Sequence, residues 1–246
     1  MKQPLVYIVF FDLIFVLFLA LSGSFGGILG TVFYYLAFLL PIALAFAALK
    51  SKTVEPYSIK LNISRENIGL TFPCIAPTLA LVFFISWLTS LLLSPFGGSS
   101  TTDVSGNIVL VIFTHALLTA LLEELLFRYI PLMYLASYSK RGAVVISALL
   151  FSLAHVNPYQ IPYAFIAGAV FAVIDIAFDS VIPSFAIHFV NNLASIFWLR
   201  YGGDSSFGRV YIIVLESAAV LSMIPIFFAR EKYKDKIMGA FDKNER

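Results

Sequence analysis

Residues 121–128 read LLEELLFR, so Glu123, Glu124 and Arg128 fall inside a run apolar enough to cross a lipid bilayer. A charged side chain near the bilayer centre costs roughly 2.5–3.5 kcal/mol on insertion scales, and three such groups within two helical turns imply partners or chemistry. On an α-helix Glu124 and Arg128, four apart, share a face while Glu123 points elsewhere. Glu124 ahead of Arg128 is the favourable order for an ion pair, which lowers the cost of both charges in a low dielectric and reads as scaffolding. Glu123 has no local cation and is the carboxylate available as a general base.

The chain's three histidines, His115, His155 and His188, all lie in apolar stretches. His155 closes the string SALLFSLAH, with Phe151 one turn before it, so an aromatic ring can wall the imidazole on its own face. His188 opens HFVNN; Asn192 shares its face, and Asn191 is a less well aligned alternative. An imidazole and a carboxamide projecting together suit either metal ligation or stabilisation of an oxyanion. His115, two turns before Glu123, reads as a packing residue. Asp12, Asp175 and Glu216 are further acids in apolar runs, each able to pair with a neighbouring helix.

These side chains need rigid carriers, and composition says which kind. The 246 residues are 60% hydrophobic and 12% charged, with a mean hydropathy of +0.93, which excludes an ordinary soluble domain and indicates a multi-pass membrane protein. Sixteen basic against fourteen acidic residues is too even a balance for a nucleic-acid partner. The single cysteine, Cys74, excludes an internal disulfide and reads as a small buried filler. Apolar runs near 5–21, 27–49, 73–94, 108–138, 142–156, 159–178, 181–199 and 210–229 predict an all-α fold of eight transmembrane helices, the run 142–156 being short for a span.

The basic residues orient these spans. With the N-terminus inside, thirteen lysines and arginines fall on the cytoplasmic side, only Arg200 and Arg209 fall outside, and Arg128 is embedded, so both termini are expected to be cytoplasmic in a cell-membrane protein. Reading the first run as a cleaved secretory signal instead would leave seven spans and an outside N-terminus. Gly26 and Gly30 have a spacing that lets helices approach closely. Residues 1–107 are expected to hold three transmembrane helices with a cytoplasmic loop at 50–72 that lies along the membrane surface. Residues 108–200 would form the catalytic core, and 201–246 the last helix and a solvated cytoplasmic tail.

The ordered pattern E-E-x-x-x-R, F-x-x-x-H and H-x-x-x-N, each on its own span, resembles the CPBP family of intramembrane proteases, which includes type II CAAX prenyl endopeptidases and bacteriocin-processing proteins. The resemblance covers roughly residues 108–200. It implies that Glu123 and His155 activate the water that attacks a peptide carbonyl, that His188 and Asn192 stabilise the oxyanion, and that Glu124 and Arg128, with Phe151, support the site. A zinc ion held by Glu123, His155 and His188 and a metal-free glutamate and histidine mechanism both fit these residues, although no H-E-x-x-H spacing is present. The partners it implies are the lipid bilayer and a peptide or protein substrate, prenylated or unmodified. Two departures, Tyr129 after Arg128 where many members have glycine, and AFDSVIPSFAIH without R-T-G, bear on substrate class more than on chemistry.

Two other classes use the same residue types. A proton- or ion-coupled transporter would employ buried acids and histidines as proton carriers, but no internal repeat is evident. A non-catalytic immunity or binding relative would keep the scaffold and shield a membrane partner.

Overall fold

Each apolar run satisfies its own backbone hydrogen bonds as a helix, the only economical solution for a segment in hydrocarbon. The structure, a computed structural model, describes residues 2–50, 56–93, 104–202 and 206–241. Its helices are α1 (Lys2–Ser24), α2 (Gly27–Lys50), α3 (Arg65–Leu93), α4 (Ile108–Leu135), α5 (Lys140–Ala154), α6 (Ile161–Phe178), α7 (Ile182–Tyr201), α8 (Ser206–Phe228) and α9 (Arg230–Phe241). Among the described residues there is no strand, and the all-α expectation holds. Among the described residues seven helices are long and apolar enough to cross a membrane. The eighth expected span, α5, has 15 residues and a length of about 22 Å, short of the roughly 30 Å hydrocarbon core.

The hairpin of α1 and α2 turns at Gly27, whose φ of +61° is the left-handed conformation glycine tolerates best. A Cβ at Gly30 would collide with the Phe25 carbonyl oxygen, while Gly26 has open space. This glycine pair therefore serves the turn rather than the close helix crossing its spacing suggests. Both helices then lie along α4. Phe15 and Phe38 pack on Phe127, with ring centroids 5.1 and 6.5 Å away, and Tyr134 donates to the Ala45 carbonyl at 2.8 Å.

One end of the bundle collects the basic connections. Tyr57 donates its backbone N–H to Met133, Lys60 pairs with Asp179 at 2.7 Å and with the Ser180 backbone, and Lys140 donates to the Ala240 carbonyl. Burial, with the Asp179 carboxylate second, pushes the Tyr57 phenol above its ordinary value. At the opposite end Arg200 donates to the carbonyls of Val104 and Gly106. The gathering of Lys60, Lys140 and the C-terminal helix at one end matches the charge pattern expected of a single membrane face.

Two expectations need correction here. The loop at 50–72 ends early, because α3 begins at Arg65, where the Ser64 hydroxyl accepts from the Asn67 N–H at 3.2 Å and caps the first turn. Its polar opening residues hid two turns of helix. The described part of the tail is not simply solvated either: α9 docks through Tyr233, which donates to the Leu70 carbonyl at 2.6 Å, and Lys232 lies 3.9 Å from Glu66. Residues 51–55 of the expected loop, the end of the expected third span at 94 with the connection 95–103, residues 203–205, and the tail beyond 241 lie outside the described residues.

Candidate active site

Helix α4 carries the acids, and it is not a regular α-helix. Ile112–Leu118 and Leu125–Tyr129 are π-helical, and the second stretch starts directly after Glu124. Such bulges concentrate at functional sites because they re-aim side chains. Pro131 has no N–H to offer the Phe127 carbonyl one turn earlier, and that oxygen instead accepts from Arg128 Nη1 at 3.1 Å and from the Ser147 hydroxyl of α5. The proline thus creates an acceptor that holds the arginine inward.

Arg128 is fully buried, and its Nε lies 3.6 Å from Glu124 Oε2, the i,i+4 ion pair that spacing predicts. Its guanidinium also lies over the Phe151 ring, 4.2 Å from the centroid, and 5.7 Å from that of Phe171. These contacts desolvate the cation and repay part of that cost. Gly168 of α6 makes the space: a Cβ there would come within 3.1 Å of the Ala148 Cα and 3.2 Å of Arg128 Nη2. Gly168→Ala is therefore expected to cost about 1–3 kcal/mol by overpacking. Thermal unfolding in detergent checks this, and an unchanged midpoint would refute the tight fit.

Helix α7 brings the imidazole. His188 Nδ1 lies 2.7 Å from Glu124 Oε1, and Nε2 lies 3.4 Å from Glu123 Oε2. A carboxylate paired with Arg128 can only accept, so Nδ1 carries the proton and donates to Glu124, leaving Nε2 turned to Glu123. The expectation that Glu123 points away from its neighbour is thereby qualified. The two carboxylates flank opposite edges of one ring, which spans the angle between them.

His155 caps the end of α5, and its Nδ1 donates to the Phe151 carbonyl at 2.8 Å. It lies beyond ion-pair distance of Glu123. Phe151 stands edge-on to both imidazoles, with centroids 4.9 Å from His155 and 5.6 Å from His188. Asn192 sits one turn after His188, and its Oδ1 accepts from Asn191 Nδ2 at 3.5 Å. The structure thus brings Glu123, Glu124, Arg128, Phe151 and His188 into one contact group, with His155 joined through the Phe151 ring and Asn192 following along α7.

The residues do not form a three-ligand zinc set as arranged. Glu123 Oε2 and His188 Nε2 converge, but Nδ1 of His188 is committed to Glu124, and among the described residues no three His, Cys, Asp or Glu side chains stand where they would hold a metal ion. His115 is exposed and bonded to Thr114 at 2.8 Å, not packed inside. Glu216 is likewise exposed, on α8, while Asp12 is half-buried beside Phe127 and Leu150.

Tyr34 of α2 and Tyr163 of α6 interact electrostatically with Glu123, and the Tyr34 hydroxyl pairs with Thr119, one turn before that acid. Sequence spacing could not find them, because both lie on other helices. A buried carboxylate, arginine and histidine cluster in a helical membrane bundle defines a class of intramembrane enzyme candidates. Within it, residues 105–194 match the family model described as type II CAAX prenyl endopeptidase, Rce1-like. That segment contains every acid, histidine and amide of the expected site. No curated protein and no solved structure matches the chain.

Proposed function

We propose that this protein is an intramembrane endopeptidase that hydrolyses a peptide bond with water activated by Glu123 and His188. The observation carrying the reading is the His188 ring held between Glu124 and Glu123 at 2.7 and 3.4 Å. In the proposed reaction Glu124, itself tied to Arg128, fixes the His188 tautomer. Water bound beside Nε2 and Glu123, within reach of both, gives its proton to Glu123 as its oxygen attacks the carbonyl carbon. Asn192 Nδ2, not used by its contact with Asn191, donates to the oxyanion. When the C–N bond breaks, the proton returns from Glu123 to the leaving amine, giving a free carboxylate and a free amine.

The family likeness adds His155 as a second partner of Glu123 in activating water, and Phe151 as the wall between the two imidazoles. Geometry puts His188 nearer, so His188→Gln is expected to slow cleavage more than His155→Gln. The reverse ranking would transfer the base role to His155. The zinc version of the mechanism needs His155 drawn onto Glu123 and His188. On the arrangement described, prolonged treatment with a strong chelator is expected to leave cleavage within about twofold of the untreated rate, and a loss restored by added zinc would reinstate the metal.

The description of the matched family supports a carboxy-terminal, prenylated peptide as the substrate class, and the gathering of Lys60 and Lys140 at one end supports that face as the cytoplasmic one. Two measurements test the function. Peptides ending in a farnesylated cysteine and three further residues, and the same peptides unmodified, are offered to the purified protein. Membrane proteomes of a Glu123→Gln strain and its parent are compared for uncleaved precursors. Cleavage of either peptide by the parent, or precursors confined to the variant, is the expected result; neither would reject the protease reading.

A further inference from the structure

Asp175 is a fully buried acid near the end of α6 that has no part in the hydrolysis proposed above. A buried carboxylate costs several kcal/mol unless its surroundings use it. We propose that Asp175 and Ser184 are positioning residues for His188, fixing the first turn of α7 against the Glu124–Arg128 pair so that the imidazole meets both glutamates. The inference deepens the hydrolase reading and rests on it.

The anchoring is two-sided. The Asp175 carbonyl accepts from the Ser180 N–H at 3.0 Å, and its Oδ1 accepts from the Ser184 N–H at 3.2 Å. One residue of α6 therefore ties down both the connecting turn and an otherwise unpaired first-turn amide of α7. Pro183, at the second position of that helix, fixes the local φ and leaves Ser184 as the next available donor. The Ser184 hydroxyl lies 3.0 Å from the Val181 carbonyl and also interacts with the carboxylates of Asp175 and Glu124. Ser184 is itself fully buried.

Helical spacing transmits this anchor to the site. Ser184, His188 and Asn192 are four apart and share one face of α7, so His188 lies one turn, about 6 Å, from the anchored residue. Asp175 is also attracted by the Arg128 guanidinium, the cation paired with the Glu124 carboxylate that receives His188 Nδ1. The Asp175–Ser184 anchor thus holds the α7 end of the Glu124–His188 contact, while Arg128 holds the other. Shifting the start of α7 would open that 2.7 Å bond and turn Nε2 away from Glu123.

The test compares Asp175→Ala, Asp175→Asn and Ser184→Ala in the full chain in detergent, with the farnesylated peptide as probe. Asparagine keeps an oxygen able to accept from the Ser184 N–H, so it is the rescuing variant. Asp175→Ala is expected to lower kcat by about 10- to 100-fold with KM little changed, as misplacement of a reacting group does. Asp175→Asn is expected to restore most of that rate. The 15N resonances of the His188 ring should move in the alanine variant and stay near parental in the asparagine one.

A parental kcat together with parental His188 resonances in Asp175→Ala would overturn the inference, and an equally inactive Asp175→Asn would replace anchoring by charge. If Asp175→Ala does not accumulate, Ser184→Ala carries the test: a His188 resonance shift and slower cleavage support the positioning role, and no change in either refutes it. Absence of cleavage by the parent protein would instead remove the hydrolase reading. The His188 resonances would then still judge the positioning on their own.

Discussion

Glu123→Gln is expected to lower peptide cleavage by a factor on the order of 10³ while the protein accumulates in the membrane as the parent does. The amide has nearly the same shape but cannot take a proton from water. Its folding cost is small for a specific reason: Glu123 holds no arginine, and its ion-pair contact is the 3.4 Å approach to His188 Nε2. Its side chain also keeps 15% exposure, against 2% for Glu124, which leaves room for water at one carboxylate and not the other. The measurements are kcat on the farnesylated and unmodified peptides and the folded yield by size exclusion. Parental turnover by this variant would reject the assigned base.

Arg128→Ala is expected to act on folding instead, with a loss of about 3–5 kcal/mol, because it strands Glu124 as an uncompensated buried charge. The loss has three visible sources: the ion pair at 3.6 Å, the guanidinium seated 4.2 Å from the Phe151 ring centre, and the bond to the Phe127 carbonyl. Folded yield and thermal unfolding in detergent read it directly. Glu124→Gln combined with Arg128→Met should recover part of the stability, since no lone charge remains. A stable Arg128→Ala protein would contradict the scaffolding role of the pair.

How far these features were legible in the sequence depends on whether they are local. Spans were readable because hydropathy acts within a segment, and the Glu124–Arg128 pair was readable because i,i+4 spacing is a property of one helix. The start of α3 was missed although Ser64, three residues before Asn67, carried a capping signal. Polar residues at a membrane surface mask helix under a hydropathy criterion. The docking of α9 was hidden in the same way, since Tyr233 lies among charged residues that suggest solvent.

The site divides along the same line. Three ordered motifs pointed to residues 108–200, and the family match over 105–194 covers that segment up to residue 194, including all three motifs. Which side chains touch was another matter. Glu123 and Glu124 lie on different faces by helical geometry, yet the two nitrogens of His188 reach both, and only the packing of α7 on α4 decides that. The family resemblance grouped His155 with them, whereas α5 ends at that residue and places the Phe151 ring beside it. Asp175 and Ser184, nine apart across a turn, match no helical spacing and appear only in three dimensions.

A double-substitution cycle of Glu123→Gln and His188→Gln tests the central claim most directly, that one carboxylate and one imidazole act on the same water. If they do, either change removes most of the catalysis, and the doubly substituted protein cleaves no more slowly than the slower single variant. Rate losses that multiply, as for two residues working independently, would contradict it.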